Sequence, residues 1–121
     1  MSLGITHFAV GAAGTALILA VVAPTIRYRG TIITLGGIWA LIPDIGKLYP
    51  HPLFLEFHDS RLADLFWFHL TMDTLDPGDS VVVATVAVGL YLIVMVVTEY
   101  GLPSGSPMAH DAEIGIGTDD D

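Results

Sequence analysis

The sequence predicts an all-α integral membrane protein with about three transmembrane helices and one interfacial or re-entrant amphipathic helix. Three observations carry that expectation. Of the 121 residues, 53% are hydrophobic and only 14% charged, with a mean hydropathy of +0.68, which is too apolar for an ordinary soluble domain. The apolar residues gather in uncharged stretches on the scale of a bilayer crossing. The polar, ligand-type side chains collect around Phe66 to Asp79 and in the segments before it, where they interrupt the apolar pattern. The expected organisation is a helical membrane domain over residues 1–101 and an acidic disordered tail over 102–121, in a multi-pass protein of the cell membrane.

Taken in order, Gly4 to Ala23 carries no charge except a possible one on His7 and is long enough to cross a bilayer as a helix. A cleavable signal is the competing reading, but there is no basic start, and Pro24 follows Ala23 where cleavage would fall. Gly4, Ala9, Gly11, Ala12, Gly14 and Ala16 give this helix a small-residue side, which in lipid marks close helix packing and offers a face for a membrane-protein partner or a second copy. Arg27-Tyr28-Arg29 is a short basic connection that the positive-inside tendency assigns to the cytoplasm. Thr31 to Ile42 is the second span, short by itself but lengthened by snorkelling of Arg27 and Arg29, and it stops at Pro43-Asp44. An antiparallel return brings Asp44 to the depth of His7.

Ile45 to Ser60 is broken by Gly46, Pro50 and Pro52 and reads as an interfacial loop carrying His51, Glu56, His58 and Asp59. Arg61 to Leu75 reads as a helix whose Arg61, Asp64, His69 and Asp73 make a crossing implausible, so it is expected on the membrane surface or half-buried. Ser80 to Thr98 is the third span, opened by Asp79-Ser80 and closed by Glu99-Tyr100-Gly101. Leu102 to Asp121 is rich in Pro, Gly and Ser, ends in three aspartates and cannot bury a core. With three spans, the N-terminus and the polar segment lie on one side and the tail on the other.

The charge balance is lopsided, with 13 Asp and Glu against 4 Lys and Arg, a net charge of −9 and a pI near 4.6. That excludes nucleic acid as an expected partner, leaves the lipid bilayer as the evident one, and suits a halophilic-like, high-salt cytoplasm. Cysteine is absent, so any metal must be held by His and carboxylate. His69 and Asp73 are four apart, a spacing that puts both on one helix face, with Asp76 following before Pro77-Gly78. The same spacing serves a ligand pair or a solvated ionic face. His7 near a helix end can reach interfacial water, Asp44 after Pro43 can be a turn residue, and Phe66-Trp67-Phe68 suits an interface anchor. His7, Asp44, Asp73 and Asp79 share one membrane face only if Arg61 to Leu75 does not cross.

The order Thr6-His7, Leu41-Ile42-Pro43-Asp44, His58-Asp59-Ser60 and His69-Leu70-Thr71-Met72-Asp73-Thr74-Leu75 before Pro77-Gly78 resembles the YdjM-like membrane-bound metal-dependent hydrolases. The resemblance covers roughly Thr6 to Gly78 and implies kinship with zinc-dependent phospholipases C and single-strand nucleases. Where that family carries a second Asp after Pro-Asp-Ile this chain has Gly46, Asp59 splits the His-Ser pair, and only about ten residues replace a membrane hairpin before His69. Two function classes stand open at this point. In one, His7, Asp44, His58, His69 and Asp73 hold divalent metal, zinc foremost, and serve hydrolysis of a phosphoester. In the other, the chain is a small non-enzymatic membrane component.

Overall fold

The computed structural model describes residues 3–101, all of whose regular structure is helical. The expected tail over 102–121 lies outside the described residues. Helix α1 spans Gly4–Val22 and helix α6 Val81–Tyr100. At about 1.5 Å per residue, these 19 and 20 residues reach the roughly 30 Å of a bilayer core, and both are apolar enough to cross it. Helix α2 (Arg29–Ala40) runs into a 3-10 turn (Ile42–Asp44) and helix α3 (Ile45–Leu48), and the two parts, bent by 43°, make a third candidate span if taken together. Pro43 sits in the 3-10 turn, where its missing N–H and ring favour a bend over a straight continuation.

Helix α1 is the centre of the bundle, with α2 and α6 packed against it. Ala12 and Ala16 of α1 meet Ile33 of α2 in the buried core, which Phe8, Leu19, Tyr91, Val94 and Met95 flank. The helices approach closely because the contact residues are small: a Cβ on Gly36 would collide with the Thr15 hydroxyl, and one on Gly37 would stand 2.6 Å from the Phe8 ring. The small side of α1 is therefore covered within the chain. Large apolar residues such as Val21, Val22, Leu90 and Val97 point outward instead, the arrangement that hydrocarbon surroundings favour.

Three expectations are corrected. Ile45 to Ser60 is not a loop: it holds α3 and helix α4 (Pro52–His58), the latter started by Pro52 and by His51 Nδ1, which accepts the Leu53 N–H. The helix expected from Thr31 starts two residues early, at Arg29, whose guanidinium donates to the Ala16 carbonyl at 3.3 Å. Arg61 to Leu75 is not one helix but a 3-10 turn (Arg61–Leu65) and helix α5 (His69–Leu75), split at Phe66 to Phe68. Helix α5 has 7 residues, about 10 Å, so it does not cross a bilayer.

The split has a visible cause. Trp67 and Phe68 both take left-handed backbone, φ 57° and 58°, which costs bulky residues on the order of 1–3 kcal/mol each. The Trp67 ring holds the turn by lying on the Cα face of Gly14, where a Cβ would strike it. Asp64 spans the break, its carboxylate accepting the Thr71 N–H at 2.8 Å and the Thr71 hydroxyl at 3.0 Å. Phe66 stacks on Trp39 at 4.8 Å. Within the aromatic run Phe66 and Trp67 are half-buried against Trp39 and Gly14, and Phe68 is largely exposed.

Candidate metal centre

The five side chains His7, Asp44, His58, His69 and Asp73 come from four separate elements and meet at one end of the bundle. The antiparallel course of α1 and α2 returns the chain to the start of α1, so that Asp44 Oδ2 stands 3.6 Å from the position of a Cβ on Gly4. Helix α4 delivers His58 at its last residue, and α5 delivers His69 at its first and Asp73 one turn later. His7, His58, His69 and Asp73 are at most 7% exposed. The solvated-face reading of His69 and Asp73 is therefore overturned, because desolvated ionisable groups need partners. Asp44 is no mere turn residue either, since its carboxylate is only 13% exposed and faces two imidazoles.

The imidazoles are oriented from behind. His69 Nδ1 donates to the Ala40 carbonyl at 3.2 Å, and His58 Nδ1 donates to Asp59 Oδ1 at 3.1 Å. With Nδ1 carrying the proton, each Nε2 presents a lone pair to the interior. These two atoms and Asp44 Oδ2 are buried without a hydrogen-bond partner among the described residues. His58 Nε2 is 3.2 Å from Asp73 Oδ2 and 3.6 Å from Asp44 Oδ1, and His69 Nε2 is 3.5 Å from Asp44 Oδ1 and 3.8 Å from Asp73 Oδ2. Lone pairs and carboxylate oxygens converging at such distances repel one another unless a proton or a cation lies among them. Ligands about 2.0–2.1 Å from a tetrahedral ion stand about 3.3 Å apart, and the four separations bracket that value.

His7 stands slightly apart. Its Nε2 donates to Asp73 Oδ1 at 3.0 Å, leaving Oδ2 for the cluster, and its ring stacks on His69 at 3.8 Å. Two overlapping sets, His7 with His69 and Asp73, and Asp44 with His58 and His69, each have ligand atoms within 4.8 Å of one another, so these buried groups could hold a metal ion. Both sets share His69, whose single free lone pair serves one ion. Lys47, one turn after Asp44, pairs with Oδ1 at 2.6 Å and offsets part of the carboxylate charge. Burial, followed by the charge on His7, pushes the His69 pKa down to about 4 against the pull of Asp44 and Asp73, so His69 is neutral, the ligand form, at pH 7.

Asp76 and Asp79 stay out of the cluster. Asp76 is buried but accepts the Ser80 N–H with both oxygens at 3.1 Å, helping Ser80 to start α6. Asp79, at φ 52°, is an exposed residue of the connection between α5 and α6. Asp59 splits a His-Ser pair in the sequence, and its adjacency to His58 is the signal for its orienting role. The Ala40 carbonyl carries no signal in sequence. Comparison with models of protein families, with curated proteins and with solved structures found no match to this chain.

Proposed function

We propose that the protein is a multi-pass cell-membrane hydrolase that binds one divalent transition metal, zinc foremost, and acts on phosphoesters. Asp44, His58, His69 and Asp73 are the ligands in this reading, and His7 orients Asp73. The observation that carries the metal is the convergence of two buried imidazole lone pairs on two carboxylates. Without cysteine, a set of imidazole and carboxylate suits zinc and its neighbours better than calcium or magnesium, which prefer oxygen alone. Hydrolysis rests on the resemblance of the motif order to that of the YdjM-like hydrolases.

The protein's own groups have distinct tasks. Ala40 and Asp59 fix the tautomers of His69 and His58, and the His7 N–H fixes the rotamer of Asp73. Lys47 keeps the pocket from accumulating two unbalanced carboxylate charges and offers an ammonium to an anionic ester. A divalent cation held by Asp44, His58, His69 and Asp73 would supply Lewis acidity toward a phosphoryl oxygen.

The test is elemental analysis of the purified protein beside His69→Ala and Asp73→Ala, with hydrolysis of a chromogenic phosphodiester followed on the same samples. The expected result is about one metal per wild-type chain, lost in both variants together with activity. Absence of metal from wild type, or equal metal in all three, would refute the metal site. Metal without turnover would leave a metal-binding membrane component in place of an enzyme.

A further inference from the structure

The cluster is closed: His7, His58, His69 and Asp73 are at most 7% exposed and the Asp44 side chain 13%. A cation reaches these atoms only if one of the elements around them moves aside, and the element that moves is the one held most weakly. Helices α1 and α2 are fixed by the core of Ala12, Ala16 and Ile33. Helix α4 packs closely on α3, its Phe54 carbonyl 3.2 Å from the place of a Cβ on Gly46, and its Phe57 ring meets Phe66 edge-on at 5.7 Å. Helix α5 has less to hold it. Its buried side chains are His69 and Asp73, both ligands in the reading above, while Leu70 and Met72 are half-buried and Thr71, Thr74 and Leu75 exposed. Those two residues also make its polar contacts with the bundle, His69 with the Ala40 carbonyl and the His7 ring, Asp73 with the His7 N–H. Left-handed residues stand on both sides of the helix, Trp67 and Phe68 before it and Asp79 after it, and the Cα face of Gly78 is open.

We propose that α5 is a metal-operated clasp. With a divalent cation bound, His69 and Asp73 hold the helix against the bundle; when the cation leaves, the strained turn at Trp67 and Phe68 relaxes and α5 swings off, opening the path by which the ion enters and leaves. The balance of forces favours this motion over any other. Two bulky residues in left-handed backbone oppose closure, the little apolar surface that α5 buries contributes little toward it, and bonds from two ligands to one ion remain to tip the equilibrium. The turn before α5 and the Pro77-Gly78-Asp79 connection after it are short segments able to absorb the change of direction. The Trp67 ring, seated on Gly14 within the turn itself, leaves that seat on opening and so reports it. The proposal rests on the metal part of the reading above and not on hydrolysis.

The test uses the full chain in maltoside micelles, loaded with zinc, stripped by a chelator and reloaded. Backbone hydrogen exchange is followed on the wild type, and acrylamide quenching on Trp39→Phe, which leaves Trp67 as the sole indole. In zinc at 100 times its dissociation constant, the amides of residues 72–76 should exchange about 100-fold more slowly than in the stripped protein, since opening and binding exclude each other. In the stripped protein these amides should exchange while those in the middles of α1 and α6 stay protected, and Trp67 should become more open to acrylamide; zinc should reverse both changes. Phe68→Gly takes the left-handed turn without a Cβ and should bind zinc about three- to tenfold more tightly than Phe68→Ala, which loses the same ring but keeps the strain. Exchange at one rate with and without bound zinc, or exchange of α5 only together with α1 and α6, would overturn the clasp and leave the metal site standing. Equal zinc affinity in the two Phe68 variants would overturn the part assigned to the turn. A wild type that takes up no zinc would sink the metal reading and the clasp with it. Should Trp39→Phe fail to fold, exchange on the wild type decides.

Discussion

Asp59 gives the sharpest test of how the cluster is tuned, because it touches the site through one atom pair alone. Its carboxylate accepts the His58 Nδ1–H at 3.1 Å while its side chain is 81% exposed. Removing such a supporting group from a metal-bound histidine costs 10- to 100-fold in affinity. Solvent screening of an exposed carboxylate puts Asp59→Ala at the lower end, roughly tenfold or about 1.4 kcal/mol. Asp59→Asn retains an oxygen acceptor and should recover most of that loss, since the tautomer survives even though the charge does not. Competition with a chromophoric zinc chelator in detergent micelles reads the affinity directly, and thermal unfolding without metal checks the fold. Equal affinity for Asp59→Ala and wild type would show that His58 is not oriented in this way. An equal loss in Asn and Ala would assign the effect to charge instead of tautomer.

Three further outcomes are expected. Labelling of tags at the two ends of the chain in sealed vesicles should find them on opposite sides, since α1, the bent α2–α3 pair and α6 would make three crossings; both ends on one side would remove one of those spans. Gly36→Ala should destabilise the α1–α2 contact by about 1–3 kcal/mol through overpacking against Thr15, and adding Thr15→Gly should recover most of it, which thermal unfolding in detergent can measure. In acid, the unfolded chain protonates His69 near pH 6.5, whereas the folded chain resists until about 4. The stability due to neutral His69 is therefore full above about pH 6.5 and lost as pH falls toward 4; an unfolding midpoint that stays flat across that window, or falls as steeply in His69→Gln, would contradict this.

The two helices long and apolar enough to cross a bilayer were legible because hydropathy and length act locally: a run such as Val81–Tyr100 needs no distant partner to be recognised. The return of Asp44 to the level of His7 was legible too, following from two antiparallel helices of known rise. Helices α3 and α4 were hidden behind Gly46, Pro50 and Pro52, each of which reads as a breaker when it is counted alone. Pro52 instead opens α4, because the first turn of a helix has no use for its missing N–H.

The break at Phe66 to Phe68 could not have been read locally, and the cluster depends on it. Apolar periodicity over Arg61 to Leu75 favours one continuous helix, and no glycine or proline marks a turn. Two aromatic residues in left-handed backbone are unfavourable in isolation, so the turn exists only through long-range contacts: Trp67 on Gly14, Phe66 on Trp39, and Asp64 reaching across to Thr71. The Gly11-to-Gly14 spacing, which reads as a small face for another helix, is on this chain the seat of its own tryptophan. Without the break, Arg61 to Leu75 would be about 22 Å of straight helix, and His69 would follow the axis set by Arg61. With it, α5 takes its own direction, and its first residue can meet Ala40, Asp44 and His58 together. The strain beside His69 is thus what converts a surface helix into one wall of a buried cluster, which is why the identities of the ligands were visible in the sequence and the means of bringing them together were not.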